Sequence, residues 1–224
     1  IGQSTTLTGR VIAKHMDATV NECITGERDH VGKAIIYGDT DSCYFSAWPA
    51  IKDDVEAGRM EWNKEICVQL YDTIADQVND SFPIFMERAC HVPRDNGALI
   101  KGGRELIASK GLFIKKKRYA LLMFDYEGKR LDVDGKPGKV KAMGLDLKRS
   151  DTPKVVQDFL SDLLHDVLTD CTKEHVYDKV RAFKLLFEDR PAWEKGTPKR
   201  VNNLTKFSKA EEKLGRANMP GHVR

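Results

Sequence analysis

Two aspartates two residues apart, Asp39 and Asp41, stand at the centre of Tyr37-Gly38-Asp39-Thr40-Asp41-Ser42. Carboxylates so spaced at the tip of a hairpin can face one side and offer the hard oxygen donors that magnesium takes. Two divalent ions held about 4 Å apart by such groups lower the charge on a triphosphate and activate an attacking hydroxyl, which is the chemistry of phosphoryl transfer. The same residue types also serve ordinary turns. Counting positions removes two other readings. An EF-hand loop opening at Asp39 puts Tyr44 and Ala50 where glycine and glutamate belong, and one opening at Asp132 puts Pro137 and Met143 there. The glycines of Lys101-Gly102-Gly103-Arg104-Glu105 lack the G-K-[ST] ending of a P-loop.

A second cluster is cationic. Lys115-Lys116-Lys117-Arg118 runs directly into Tyr119-Ala120-Leu121-Leu122-Met123-Phe124, so the charges sit at the mouth of a buried strand. Strand alternation would send Lys115 and Lys117 to one face and Lys116 and Arg118 to the other, within reach of a phosphate backbone and a groove. A solvated strand edge uses lysines in the same way.

These clusters need elements to position them. Leu7, Val11, His15 and Ala18, with Ile12, Met16 and Val20, predict an amphipathic helix from Ser4 to about Cys23. Ala34 to Tyr37 and Cys43 to Phe45 predict a hairpin around the aspartates. Trp62, Ile66, Leu70, Ile74 and Val78 mark a long helix that ends near Pro83. Phe113 to Tyr126, Arg130 to Val133 and Lys139 to Met143 read as three strands of an antiparallel meander, the last two joined at Asp134-Gly135-Lys136-Pro137-Gly138. At Ser150-Asp151-Thr152-Pro153 the pattern turns helical. Val156, Phe159, Leu160, Leu163, Val167 and Leu168 supply one apolar stripe, and Val176, Val180, Phe183 and Phe187 the next. The expected architecture is α+β, a strand-rich unit followed from about residue 145 by a helical one.

Composition sets outer bounds. The chain has 224 residues, 41% hydrophobic and 32% charged, enough for a real core. No stretch approaches the roughly 20 apolar residues of a membrane span, and the first residues lack a signal-peptide layout. Net charge is only +3, yet it is segregated: Ala50 to Leu99 carries a net −5 and Arg190 to Arg224 a net +6. Such a basic tail suits a nucleic-acid partner, as it also suits a solvated surface. Five scattered cysteines without a C-x-x-C give neither a disulfide framework nor a zinc ribbon and fit a reducing cytosol. His15, His30, His91, His165, His175 and His222 form no metal spacing, and Tyr37, Trp48 and Trp62 are expected in the core. The start at Ile1, inside a helical pattern, points to a processed or engineered product or a truncated reading frame.

Taken whole, Y-G-D-T-D-S matches the carboxylate motif, often called motif C, of family B DNA polymerases. Lys116-Lys117-Arg118-Tyr119 resembles that family's K-K-R-Y motif. Met143-Gly144-Leu145 with Ser150-Asp151-Thr152-Pro153-Lys154 resembles the palm-to-thumb junction of the T-even-type phage enzymes, and Asn202-Asn203 and His222-Val223-Arg224 resemble thumb segments of that subgroup. The resemblance covers nearly the full chain and is most specific at residues 34–46 and 113–155.

It implies an antiparallel-sheet polymerase palm over residues 1–144 and a partial, mainly helical thumb over 145–224. Asp41 would be the principal ligand of two catalytic magnesium ions, with Asp39 in support and Glu105 a secondary candidate. Lys117 would meet the minor-groove edge near a primer terminus, where every base pair offers acceptors. Lys116 and Arg118 would hold the strands, Tyr119 would pack within this DNA-binding segment, and Tyr37 and Thr40 would lie beside the nucleotide. The implied partners are primer-template DNA and deoxynucleoside triphosphates, in the cytoplasm of an infected bacterium, with no membrane. The family also needs an aspartate on an earlier palm strand and a lysine of the fingers. Neither motif is in this chain, and Ile1-Gly2-Gln3-Ser4 matches the return from the fingers to the palm. The isolated chain is therefore expected to be inactive without the N-terminal polymerase segments or a complementary polypeptide. A non-catalytic DNA-binding or scaffold fragment is the alternative, against which the intact Asp39 and Asp41 argue. A metal-dependent nuclease is a third reading, against which the K-K-R-Y match argues.

Overall fold

The computed structural model describes residues 2–198 together with Glu212 and Gly215. The segments at 202–203 and 222–224 lie outside the described residues. Helices and antiparallel strands are mixed, as the α+β reading expects. The described residues form two compact units, one of residues 2–117 and 123–139, the other of residues 118–122 and those from 140 onward. No helix among the described residues is long and apolar enough to cross a membrane.

The first unit opens with helix α1 (Gly2–Thr25). Its inward stripe is Ile12, Met16, Val20 and Ile24, one residue per turn. Leu7 and Val11, expected on that stripe, are 50% and 46% exposed. The reason is that only the C-terminal half of α1 is covered. Asn21, 1% exposed, then fixes the exit from the helix: its amide donates to the Glu27 carbonyl at 2.7 Å and accepts from the Ala34 N–H at 3.1 Å. Gly32 lies so close that a Cβ there would fall 2.0 Å from the Asn21 side chain. This clamp delivers the chain into strand β1 (Ile35–Asp39), which pairs antiparallel with β2 (Ser42–Phe45).

Helix α2 (Trp48–Glu56) follows, then α3 (Lys64–Cys90), capped by the Asn63 side chain on the Ile66 N–H at 2.9 Å. The expected stop near Pro83 does not occur. Phe82 and Met86, 2% and 7% exposed, bury the helix on both sides of the proline, and burial of one such side chain contributes about 1.5–3 kcal/mol. That is comparable to the roughly 3 kcal/mol an interior proline costs. The helix ends instead at His91 in the left-handed conformation (φ 53°), before the short α4 (Arg94–Gly97). Val20, Ile24, Ala34, Ala47, Ile74, Val78 and Phe82 form the core between α1, α3 and the hairpin. Trp48, expected in the core, is 39% exposed, with its ring 6.3 Å from Trp62.

Strands β3 (Leu106–Lys115), β4 (Arg118–Tyr126) and β5 (Lys129–Arg130) follow in sheet order, with β6 (Lys139–Met143) also paired to β4. Two expectations are corrected here. Phe113 to Tyr126 is two strands joined at Lys116-Lys117, and the strand expected over Arg130 to Val133 is only the two-residue β5. Arg130 and Asp132 spend their side chains on each other at 2.8 Å, and Lys64 also binds Asp132, so charge pairing directs this segment. Arg104 similarly bridges Asp72 on α3 and Asp125 on β4, the latter 2% exposed.

The second unit contains a 3₁₀ turn (Asp146–Lys148) and helices α5 (Lys154–Leu168), α6 (Lys173–Asp189) and α7 (Ala192–Lys195). Its core joins Ala120, Leu122 and Leu168 with Val140, Leu145 and Leu164. Phe159 of α5 stacks on Phe183 of α6 with ring centroids 3.9 Å apart. Val167 and Val180, placed on the apolar stripes by spacing, are each 43% exposed. Pro153 stands at the N-cap of α5 with no side-chain cap, because Asp151 pairs with Arg149 at 2.8 Å.

Candidate functional site

The hairpin register pairs Tyr37 with Tyr44, Gly38 with Cys43 and Asp39 with Ser42, leaving Thr40 and Asp41 as the turn. The turn is tight: the Asp41 N–H reaches the Asp39 carbonyl at 2.7 Å, and the Ser42 hydroxyl donates to the same oxygen at 3.1 Å. Thr40 adopts φ 58°, an uncommon conformation for a β-branched residue and one that concentrates at functional sites. Its hydroxyl lies 3.4 Å from Asp39 Oδ1. Asp41 is exposed and the Asp39 side chain is 26% exposed.

Tyr37 and Asp39 are two apart on one strand, so they share a face. Both meet Lys117. The Lys117 backbone N–H donates to the Tyr37 hydroxyl at 2.9 Å, and the Lys117 ammonium lies 3.8 Å from Asp39 Oδ2. A cluster of Tyr37, Tyr44 and Phe113, with ring centroids 5.6–5.8 Å apart, holds the end of β3 against the hairpin. The aromatic contacts thus carry the lysine turn to the carboxylate tip. Lys117 itself has φ 61°, so the alternation expected across Lys115 to Arg118 is broken by the turn. Lys115 and Lys116 are exposed, Arg118 begins β4, and Tyr119 is 6% exposed within that strand.

Spacing did not single out Asp17, which lies beneath the hairpin. Its Oδ1 is buried without a hydrogen-bond partner, and Oδ2 would lie 3.8 Å from a Cβ built on Gly38. Burial pushes the Asp17 carboxyl above its ordinary range, opposed by a hydrogen bond from the Cys43 thiol and by nearby His30. Burial and Asp17 together push that thiol well above the usual cysteine range. The available signal was a carboxylate flanked by Met16 and Val20 within the inward stripe of α1.

Glu105 is exposed, and its carbonyl accepts from the Glu127 N–H at 2.7 Å. Among the described residues no three His, Cys, Asp or Glu side chains converge on one ion position, so Glu105 does not complete a cluster with Asp39 and Asp41. Two carboxylates on one turn still fit a magnesium ion, which is commonly held by one or two carboxylates together with substrate phosphates and water. His15 stands apart from this site. Arg28 can only donate, so at 2.9 Å from Nδ1 it fixes the proton on Nε2, which donates to Ser81 at 2.8 Å. That tautomer cannot act as a base toward the serine. A separate cavity of about 530 Å³ in the second unit is lined by Lys154, Asp158, Arg190, Trp193 and Glu194 among others. Its cations are already paired, Lys154 with Asp158 at 2.5 Å and Arg190 with Glu194 at 3.0 Å.

Comparison with known proteins finds DNA polymerases similar to this chain. The DNA-directed DNA polymerase of Escherichia phage RB69 is 32% identical over 170 residues, 71% of this chain. That of Enterobacteria phage T4 is 26% identical over 205 residues, 88% of this chain. The chain is a relative of the T4-like phage DNA polymerases. A DNA polymerase of Invertebrate iridescent virus 6 is 23% identical over 67% of the chain. The matches span 18% and 22% of the two phage polymerases and 11% of the iridescent virus one, so the chain corresponds to about a fifth of a T4-like polymerase. No family model matches the chain.

Proposed function

We propose that the chain is the palm and partial thumb of a family B DNA-directed DNA polymerase, with residues 1–144 as palm and 145–224 as thumb. Its reaction is the addition of a deoxynucleotide to a primer 3′-hydroxyl with release of pyrophosphate. The observation that carries this reading is the meeting of Lys117 with Tyr37 and Asp39. Two segments 80 residues apart, one suited to divalent cations and the other to a phosphate backbone, are built into one place.

In this reading Asp41 and Asp39 would hold magnesium at the hairpin tip, which would supply charge neutralisation at the triphosphate and activation of the primer hydroxyl. Thr40 and Tyr37 border the nucleotide. Lys117 reaches the minor-groove edge at the primer terminus, Lys116 and Arg118 contact backbone phosphates, and buried Tyr119 anchors the strand that carries them. The reaction depends on positioning and electrostatic stabilisation, so an incomplete ligand set abolishes turnover. With no third carboxylate joining Asp39 and Asp41 among the described residues, the chain in this reading requires further polymerase segments as partners, alongside primer-template DNA and deoxynucleoside triphosphates. The setting is the cytoplasm of an infected bacterium.

Primer extension tests this. The chain alone should not extend a primer, and the chain combined with the exonuclease, first palm strand and fingers of a related polymerase should. Asp41→Asn in that combination should cost several kcal/mol of transition-state stabilisation while leaving the circular dichroism spectrum unchanged. Near-normal single-turnover rates in the variant would refute the assignment.

A further inference from the structure

The Lys117 side chain has a fixed root and a free tip. Its backbone is tied to the Tyr37 hydroxyl at 2.9 Å, while the side chain is 65% exposed and its ammonium lies 3.8 Å from Asp39 Oδ2. Lysine is a compact charge on a flexible four-carbon stem, so the tip can leave Asp39 without any movement of the turn. A divalent cation at Asp39 would set like charges side by side, and the more mobile one must give way. The carboxylate tip therefore has its own tethered cation, and that cation belongs to the segment suited to phosphates.

We propose that Lys117 is a displaceable counter-ion of Asp39: loading the tip with a divalent cation expels the ammonium and frees it for the primer-template, so that metal and DNA bind cooperatively. The proposal rests on the reading of Asp39 and Asp41 as a cation site. Thermodynamic linkage makes the coupling reciprocal, so DNA that engages Lys117 must tighten metal binding by the same factor.

Manganese, followed by electron paramagnetic resonance, is the probe, titrated into the purified chain, Lys117→Gln, Lys117→Arg and the double variant Asp39→Asn/Asp41→Asn. The pair is exposed, so its removal should change affinity modestly. Lys117→Gln should bind manganese about two- to fivefold more tightly than the wild type, and Lys117→Arg should match the wild type. Saturating primer-template duplex should tighten manganese binding to the wild type and leave Lys117→Gln unchanged. Equal or weaker manganese binding by Lys117→Gln overturns the counter-ion role while leaving the cation site standing. If the wild type binds manganese no better than the double variant, the cation site itself fails and the proposal falls with it.

Discussion

The backbone N–H of Lys117 donates to the hydroxyl of Tyr37 across 80 residues of sequence, at 2.9 Å. A neutral hydrogen bond of this kind contributes about 1 kcal/mol net. Tyr37→Phe should lower unfolding stability by about that amount and keep the aromatic cluster. Its sharper signature is local: the Lys117 amide should exchange with deuterium faster in the variant while the amides of β4 are unaffected. Unchanged exchange at Lys117 would show that the hydroxyl does not hold the turn.

Arg104 forms an ion pair with the nearly inaccessible Asp125, whose Oδ1 also accepts from the Gly128 N–H at 3.1 Å. Replacing the arginine strands a buried carboxylate, for which the usual cost is about 3–5 kcal/mol. Arg104→Met should therefore be severely destabilised in urea unfolding. Adding Asp125→Asn should restore much of the loss, and purely additive losses would contradict a charge-pairing role.

Gly32→Ala should be far worse than a typical alanine substitution. The new methyl would meet the Asn21 amide at 2.0 Å, breaking both bonds by which Asn21 sets the entry to β1. Loss of a buried amide's partners costs about 1–3 kcal/mol before steric terms. Asn21→Ala, measured by the same denaturant titration, should show a comparable loss, and the double variant little more.

Burial, with Arg28 adding to it, lowers the His15 pKa from 6.5 to about 4. Between these values the unfolded chain binds a proton that the folded chain does not, so stability falls as pH drops through that window and levels off below about 4. The full effect is about 3 kcal/mol. The difference in unfolding free energy between the wild type and His15→Gln, which lacks the titrating ring, should shrink by up to that amount from pH 7 to pH 4. A pH-independent difference would remove the effect.

Local signals carried much of the fold. The hairpin was legible because β-favouring runs flank a stretch of small polar residues, and the helices around Val20 and Ile74 because their apolar spacing is strong. What failed depends on contacts distant in sequence. The proline signal at Pro83 was overridden by burial of Phe82 and Met86, and the stripe on α1 was misplaced because its N-terminal half is left uncovered. Spacing also could not show that Lys116-Lys117 turns, since an unbroken lysine run carries neither glycine nor proline to mark it. At the candidate site, the spacing of the carboxylates and the resemblance of the whole hexapeptide singled out Asp39 and Asp41, whereas Asp17 and the Phe113 contact become visible only when α1 and β3 are laid against the hairpin.

The left-handed backbone at Thr40 and Lys117 sets a trap for protein engineering. Glycine adopts that conformation freely, while a side chain there costs on the order of 1 kcal/mol. A selection for heat resistance would accordingly drift toward glycine at both turns, gaining melting temperature and deleting the hydroxyl beside Asp39 and the ammonium opposite it. Heritable variation at these codons would thus report which pressure acted on a lineage: retention of threonine and lysine marks selection for what the hairpin does, and glycine marks selection only for staying folded.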